Sequence, residues 1–149
     1  MRRAVTLAAA LLLVTATAVQ ARGGPDVSAT YTYDLLGGTS TVSIAAWDDG
    51  RGTFTFARDN GVIMEGDVTC VLIKGADAQV WGVITYAVNT TFTFWGARVR
   101  DGGLPDGGGD MAISFADLGE PPANCKIPPA WGQTGGWMVP ITSGDIRVD

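Results

Sequence analysis

The chain has 149 residues with 10 Lys and Arg against 15 Asp and Glu, a formal net charge of −5, and no histidine. That acidic balance disfavours nucleic acid and anionic membranes as partners, because an acidic surface repels both. The missing histidine excludes Ser-His-Asp and Cys-His catalysis and every His-ligated zinc or iron centre.

In chain order, Met1-Arg2-Arg3 precedes a small and apolar run from Ala4 to Val19, which ends in Val19-Gln20-Ala21. A basic start, an apolar stretch too short for a comfortable membrane span and small residues at the exit read as a signal peptide over residues 1–21. Cleavage after Ala21 then yields a secreted, extracellular product. The competing reading, a permanent N-terminal anchor, needs a longer apolar run. Arg2-Arg3 lacks the polar surroundings of a twin-arginine signal, and no cysteine follows the run to carry a lipid. Residues 22–149 have the size of a single domain with one core, expected as a monomer with no membrane span once the leader is removed.

After Pro25 the pattern alternates with period two, is rich in Thr, Val, Ile and aromatic residues, and is broken about every ten residues by Gly, Asp and Asn. It predicts eight strands: 28–34, 40–47, 52–58, 62–74, 78–86, 92–101, 110–115 and 144–148. Asp48-Asp49-Gly50, Asp59-Asn60-Gly61 and Gly75-Ala76-Asp77 supply residues that tolerate positive φ, as hairpin turns require. Neighbouring strands should therefore pair. The fold class is all-β, an antiparallel meander closing into a small barrel or folding over as a two-sheet sandwich. A turn that sets Tyr86 opposite Phe92 also sets Gly82 opposite Gly96, and with Gly66 these glycines read as a line of curvature. Core pairs are expected at Phe54 with Phe56, Val80 with Ile84, Phe92 with Phe94, and Ile113 with Phe115. Trp81 and Trp95 are expected together on the face opposite Gly82 and Gly96, beneath a second core layer or exposed as a binding surface.

Cys70 and Cys125 both lie in the exported part, where thiols oxidise readily, so one disulfide is expected. Closing that loop is worth about 4 kcal/mol in the chain-entropy model. Two free, buried, inert thiols are the alternative.

From Ser40 to Asp149 the order of landmarks resembles the post-COAP domain of bacterial secreted proteins, a family without an assigned biochemical activity. The resemblance rests on Gly66-Asp67-Val68-Thr69-Cys70-Val71-Leu72 followed by Trp81-Gly82-Val83-Ile84, on Arg100-Asp101-Gly102-Gly103 with Asp110 after the loop, and on Ser143-Gly144-Asp145-Ile146-Arg147-Val148. It implies an all-β fold and the pairing of the Cys70-type and terminal strands, and it transfers no active-site residues. The chain departs from the family pattern between Glu120 and Pro140 and in the glycine-lengthened loop after Asp101.

Carboxylates are the chemistry left open, because two acids can hydrolyse a glycosidic bond without histidine. Glu65 with Asp67 on one strand face and Asp48 with Asp49 in a turn are such pairs, but neither is diagnostic, and a solvated strand edge and a hairpin turn are the favoured explanation. Neither Lys74 nor Lys126 sits in a motif that would activate its amine. Hairpin geometry sets Asp101 against Asp110, and like charges so opposed destabilise a ladder. A calcium ion held by Asp101, Asp106 and Asp110 would offset that; so would loop amides capped by the carboxylates. Trp131 and Trp137, with Gln133 and Thr134 between them, could stack on sugar rings or anchor a protein, or pack as a lid over the core. Asn89-Thr90-Thr91 matches a glycosylation sequon. Together these define a secreted, non-catalytic β domain that binds an unknown surface glycan or protein or serves a structural or accessory role. The alternative is a carbohydrate-binding or carboxylate-based glycoside-active module.

Overall fold

A computed structural model describes residues 23–105, 107–125 and 138–149. The expected leader lies outside them. Among these residues the regular elements are all strands: β1 (Val27–Leu35), β2 (Gly38–Ala46), β3 (Gly52–Arg58), β4 (Ile63–Lys74), β5 (Asp77–Val88), β6 (Phe94–Arg100), β7 (Met111–Asp117), β8 (Val139–Pro140) and β9 (Ser143–Val148). The all-β class holds, with the two-residue β8 added to the eight expected strands. Among the described residues no helix is long and apolar enough to cross a membrane.

Alternation sets the inner face. Val27, Ala29, Tyr31 and Tyr33 of β1 are buried while Ser28, Thr30 and Asp34 are exposed. The same phase buries Val42 and Ile44 of β2 and Phe54 and Phe56 of β3. A one-residue slip would turn every one of these side chains outward, so the core fixes the register. The turns carry positive φ where the sequence places glycine, at Gly50 (82°), Gly61 (85°) and Gly75 (60°).

All strands belong to one antiparallel sheet in the order β8-β7-β6-β5-β4-β3-β2-β1-β9. It is a single curled sheet, a half-barrel, rather than two stacked sheets. Its two edge strands follow each other in the chain. β8 pairs with β7 at Met111 and Ala112, the Ile141 amide donates to Asp110 O (3.2 Å), and the Thr142 amide donates to Thr32 O (2.8 Å). β9 then pairs with β1 from Ser143↔Thr32 to Val148↔Val27. The terminal strand thus lies beside β1, not beside the Cys70 strand β4, which sits between β3 and β5.

The β5–β6 register also differs from expectation. Gly96 lies opposite Trp81 and Gly82 opposite Trp95, one residue from the Gly82–Gly96 pairing. Trp81 and Trp95 consequently fall on opposite faces. Trp95 enters the core and stacks on Phe54 (centroids 4.5 Å apart, 14° between planes). Trp81 points outward and is covered by Phe94 and Phe115, with centroids at 6.1 and 6.2 Å. Phe92, expected in the core, is 41% exposed in the β5–β6 loop. The interior glycines make room for these rings. A Cβ on Gly66 or on Gly82 would come within 2.7 Å of the Phe54 ring, and one on Gly96 would collide with the Trp81 indole.

Two register shifts interrupt β4–β5, one between Glu65 and Gly66 and one between Val68 and Cys70. The second leaves Thr69 unpaired and flips the alternation. Val68 and Val71 both face inward, and Cys70 is re-aimed to the outer side opposite Trp81.

Candidate functional site

The bulge decides where the sulfur bridge sits. Cys70 bonds Cys125 with 5.4 Å between their Cα atoms, as expected for two oxidised cysteines. Cys125 adopts a positive φ of 58°, and its carbonyl accepts a hydrogen bond from Trp81 Nε1 at 3.1 Å. The bridge and that carbonyl cap the outward indole.

Arg100 opposite Met111 carries Asp101 and Asp110 to the facing positions beyond. Asp110 is 1% exposed, and its carboxylate accepts the Gly102 amide and the Ile146 amide, each at 2.7 Å. Asp101 accepts the amides of Gly103 (2.6 Å) and Val148 (3.3 Å). Two opposed carboxylates thus face amide donors from their own loop and from β9, and Asp110 ties that loop to the closing strand. Asp106 lies outside the described residues. Among those described, no group of three or more His, Cys, Asp or Glu is placed to hold a metal ion.

Trp131, Gln133 and Trp137 also lie outside the described residues. Glu65 and Asp67 are both exposed on β4, opposite Thr55 and Thr53. Asp49 accepts the amide of Arg51 (3.2 Å) and pairs with its guanidinium (2.9 Å) within one turn. Asn89 of the sequon stands at φ 55° and donates to Gly61 O at 2.9 Å, joining two turns at one end of the half-barrel.

That end holds a cavity of about 220 Å³. It follows from the closure of the sheet. The β9 ladder stops at Thr32 on β1, and the β8 ladder stops at Ala112 on β7. Tyr33–Leu35 and Ile113–Asp117 therefore have no further strand on that side among the described residues. The cavity opens there, with Tyr33, Phe56, Met64 and Trp95 in its wall and Arg58, Asn60 and Phe92 nearer the turns.

Polar atoms of Trp95 and Ser114 lie in its wall. Trp95 Nε1, Ser114 Oγ, Ser40 Oγ and Tyr31 Oη are buried without a hydrogen-bond partner. Burial drives the Tyr31 phenol far above its ordinary range and Tyr33 upward as well. Ser114 faces both rings and partly offsets the effect, although neither Tyr31 Oη nor Ser114 Oγ reaches hydrogen-bond geometry. Buried polar groups are normally satisfied, and an orphan costs about 1–3 kcal/mol. Two of the four, on Trp95 and Ser114, belong to the cavity's own lining and mark it as built for something other than packing.

Arg58 is the one charged residue among those lining this cavity. Its Nη2 donates to Leu35 O at 2.8 Å, and the absent side chain of Gly38 leaves room for the guanidinium. No carboxylate among the described residues comes within ion-pair distance of it; the neighbouring Asp59 accepts the Thr39 amide instead (2.9 Å).

Of the cavity residues, the sequence singled out Phe56, Phe92, Phe115 and Trp95 as core or face residues, and neither Arg58 nor Ser114. A signal existed: Ser40, Arg58 and Ser114 share the inward phase of Val42, Phe56 and Ala112 on their strands, and a polar residue in phase with the core calls for a reason. Comparison with family models, with curated proteins and with solved structures finds no match to this chain.

Proposed function

We propose that this protein is a secreted, non-catalytic β domain that binds a small ligand in the open end of its half-barrel. The observation that carries the reading is the cavity between β1 and β7, apolar in its wall and supplied with buried polar atoms that have no partner. Apolar pockets with a few convergent polar groups are the usual form of a ligand site. A cavity of about 150 Å³ admits benzene, so this one admits a ring with a short side chain. The non-catalytic part of the reading is supported by the absence of histidine from the chain, the engagement of both cysteines in one bridge, and the solvated positions of Glu65 and Asp67.

Titration with 3-phenylpropan-1-ol, followed by tryptophan fluorescence and thermal shift, tests it. Saturable binding is expected through the Trp95 signal. Ala116→Phe, which places a ring opposite Trp95 in the cavity wall, should abolish that binding while the protein stays folded. Binding unchanged by the filled cavity, or binding of neither this alcohol nor the matching acid, would overturn the reading.

A further inference from the structure

Resting on that cavity reading, we infer that the ligand is a small apolar monocarboxylate, held with its acid group on Arg58 at the rim and its apolar body inward against Phe56, Met64 and Trp95. Charge and depth carry the inference. Arg58 stands at the last position of β3, in the inward phase of Phe54 and Phe56. A cation is thereby placed at the mouth of an otherwise uncharged lining. It spends one N–H on the Leu35 carbonyl, has no carboxylate of the described residues at ion-pair distance, and sits near enough to Tyr33 to offset a little of the burial that raises its phenol. A guanidinium with free N–H groups beside apolar surface suits one planar carboxylate, which it holds by paired, charge-assisted hydrogen bonds. The deeper wall carries no charge, so a second ionised group on the ligand would be buried unpaired. One acid group and a body of about ten non-hydrogen atoms therefore fit both the chemistry and the volume.

The test compares 3-phenylpropanoate with 3-phenylpropan-1-ol, which share shape and differ in charge. The native protein should bind the acid at least tenfold more tightly than the alcohol. Arg58→Gln should bring that ratio close to one, Arg58→Lys should retain a preference for the acid, and Arg51→Gln in the distant β2–β3 turn should leave the ratio unchanged. If Arg58→Gln does not fold, the native ratio and the Arg58→Lys ratio decide. Equal affinity for acid and alcohol in the native protein overturns the inference and leaves the cavity reading standing. So does a preference that Arg51→Gln removes as well as Arg58→Gln. Binding of neither compound overturns both.

Discussion

The indole of Trp81 lies across Gly96 on the neighbouring strand and fills the space that a side chain there would need. This contact sets the β5–β6 register and assigns the two tryptophans to opposite faces. Gly96→Ala should therefore destabilise the fold by about 1–3 kcal/mol, the usual cost of forcing extra volume into packed surroundings. Urea denaturation measures the loss, and a Trp81 displaced from Phe94 and Phe115 should shift the emission to longer wavelength. A variant as stable as the parent would mean that the indole is not held there.

Asp110 gives a second prediction, independent of the first. Its carboxylate accepts amides from the β6–β7 loop and from β9, and hydrogen bonds to a charged group contribute about 1.5–3 kcal/mol each. Asp110→Ala should cost on the order of 3 kcal/mol and speed hydrogen exchange at the Ile146 amide. Asp110→Asn should recover only part of this, because one acceptor oxygen becomes a donor facing an N–H. Denaturant titration and exchange together check it, and an unprotected Ile146 amide in the parent would contradict the assignment.

The buried tyrosines set an alkaline limit. Burial raises the phenols of Tyr31 and Tyr33 above their ordinary value of 10.0. The folded state thus holds those protons more tightly than the unfolded chain does. Stability is unaffected below pH 10, where both states are protonated. Above it, stability should fall by about 1.4 kcal/mol per pH unit for each phenol still protonated in the fold. Tyr31→Phe should reduce that slope by one proton. At neutral pH it should be neutral or stabilising, since it removes a hydroxyl buried without a partner. Unfolding free energies at pH 8 to 11 test both parts.

Removing the sulfur bridge is the fourth test. The Cys70→Ala, Cys125→Ala double variant should lose up to about 4 kcal/mol. It should also free Trp81 Nε1 from the Cys125 carbonyl, so that Trp81 becomes quenchable by acrylamide while Trp95, stacked inside on Phe54, stays protected. Equal quenching of parent and variant would show that the bridge does not hold the cap in place.

Local chemistry was legible in the sequence. The strand 52–58 appears with the expected bounds, the Gly50, Gly61 and Gly75 turns fall where positive φ was read, the cysteines pair, and Asp101 faces Asp110. The β5–β6 register was not legible, because Val80 to Val83 and Phe94 to Ala97 are apolar or glycine on both faces and no alternation distinguishes adjacent registers. β8 was missed because two residues, one of them Pro140, give no periodic signal. The cavity was hidden for a different reason. Tyr33, Arg58, Trp95 and Ser114 come from four strands, and only the way the curled sheet closes brings them together.

That closure gives the last residues of the chain a disproportionate role. The contact between Val27 and Val148 spans almost the entire folded domain, and such distant pairings form late and slowly. Until they form, the outer sides of β1 and β7 are open hydrogen-bonding edges, the feature that recruits other chains into aggregates. A chain cut before Ser143 would thus lose more than a strand: it would leave Val27 to Thr32 of β1 as a bare adhesive border.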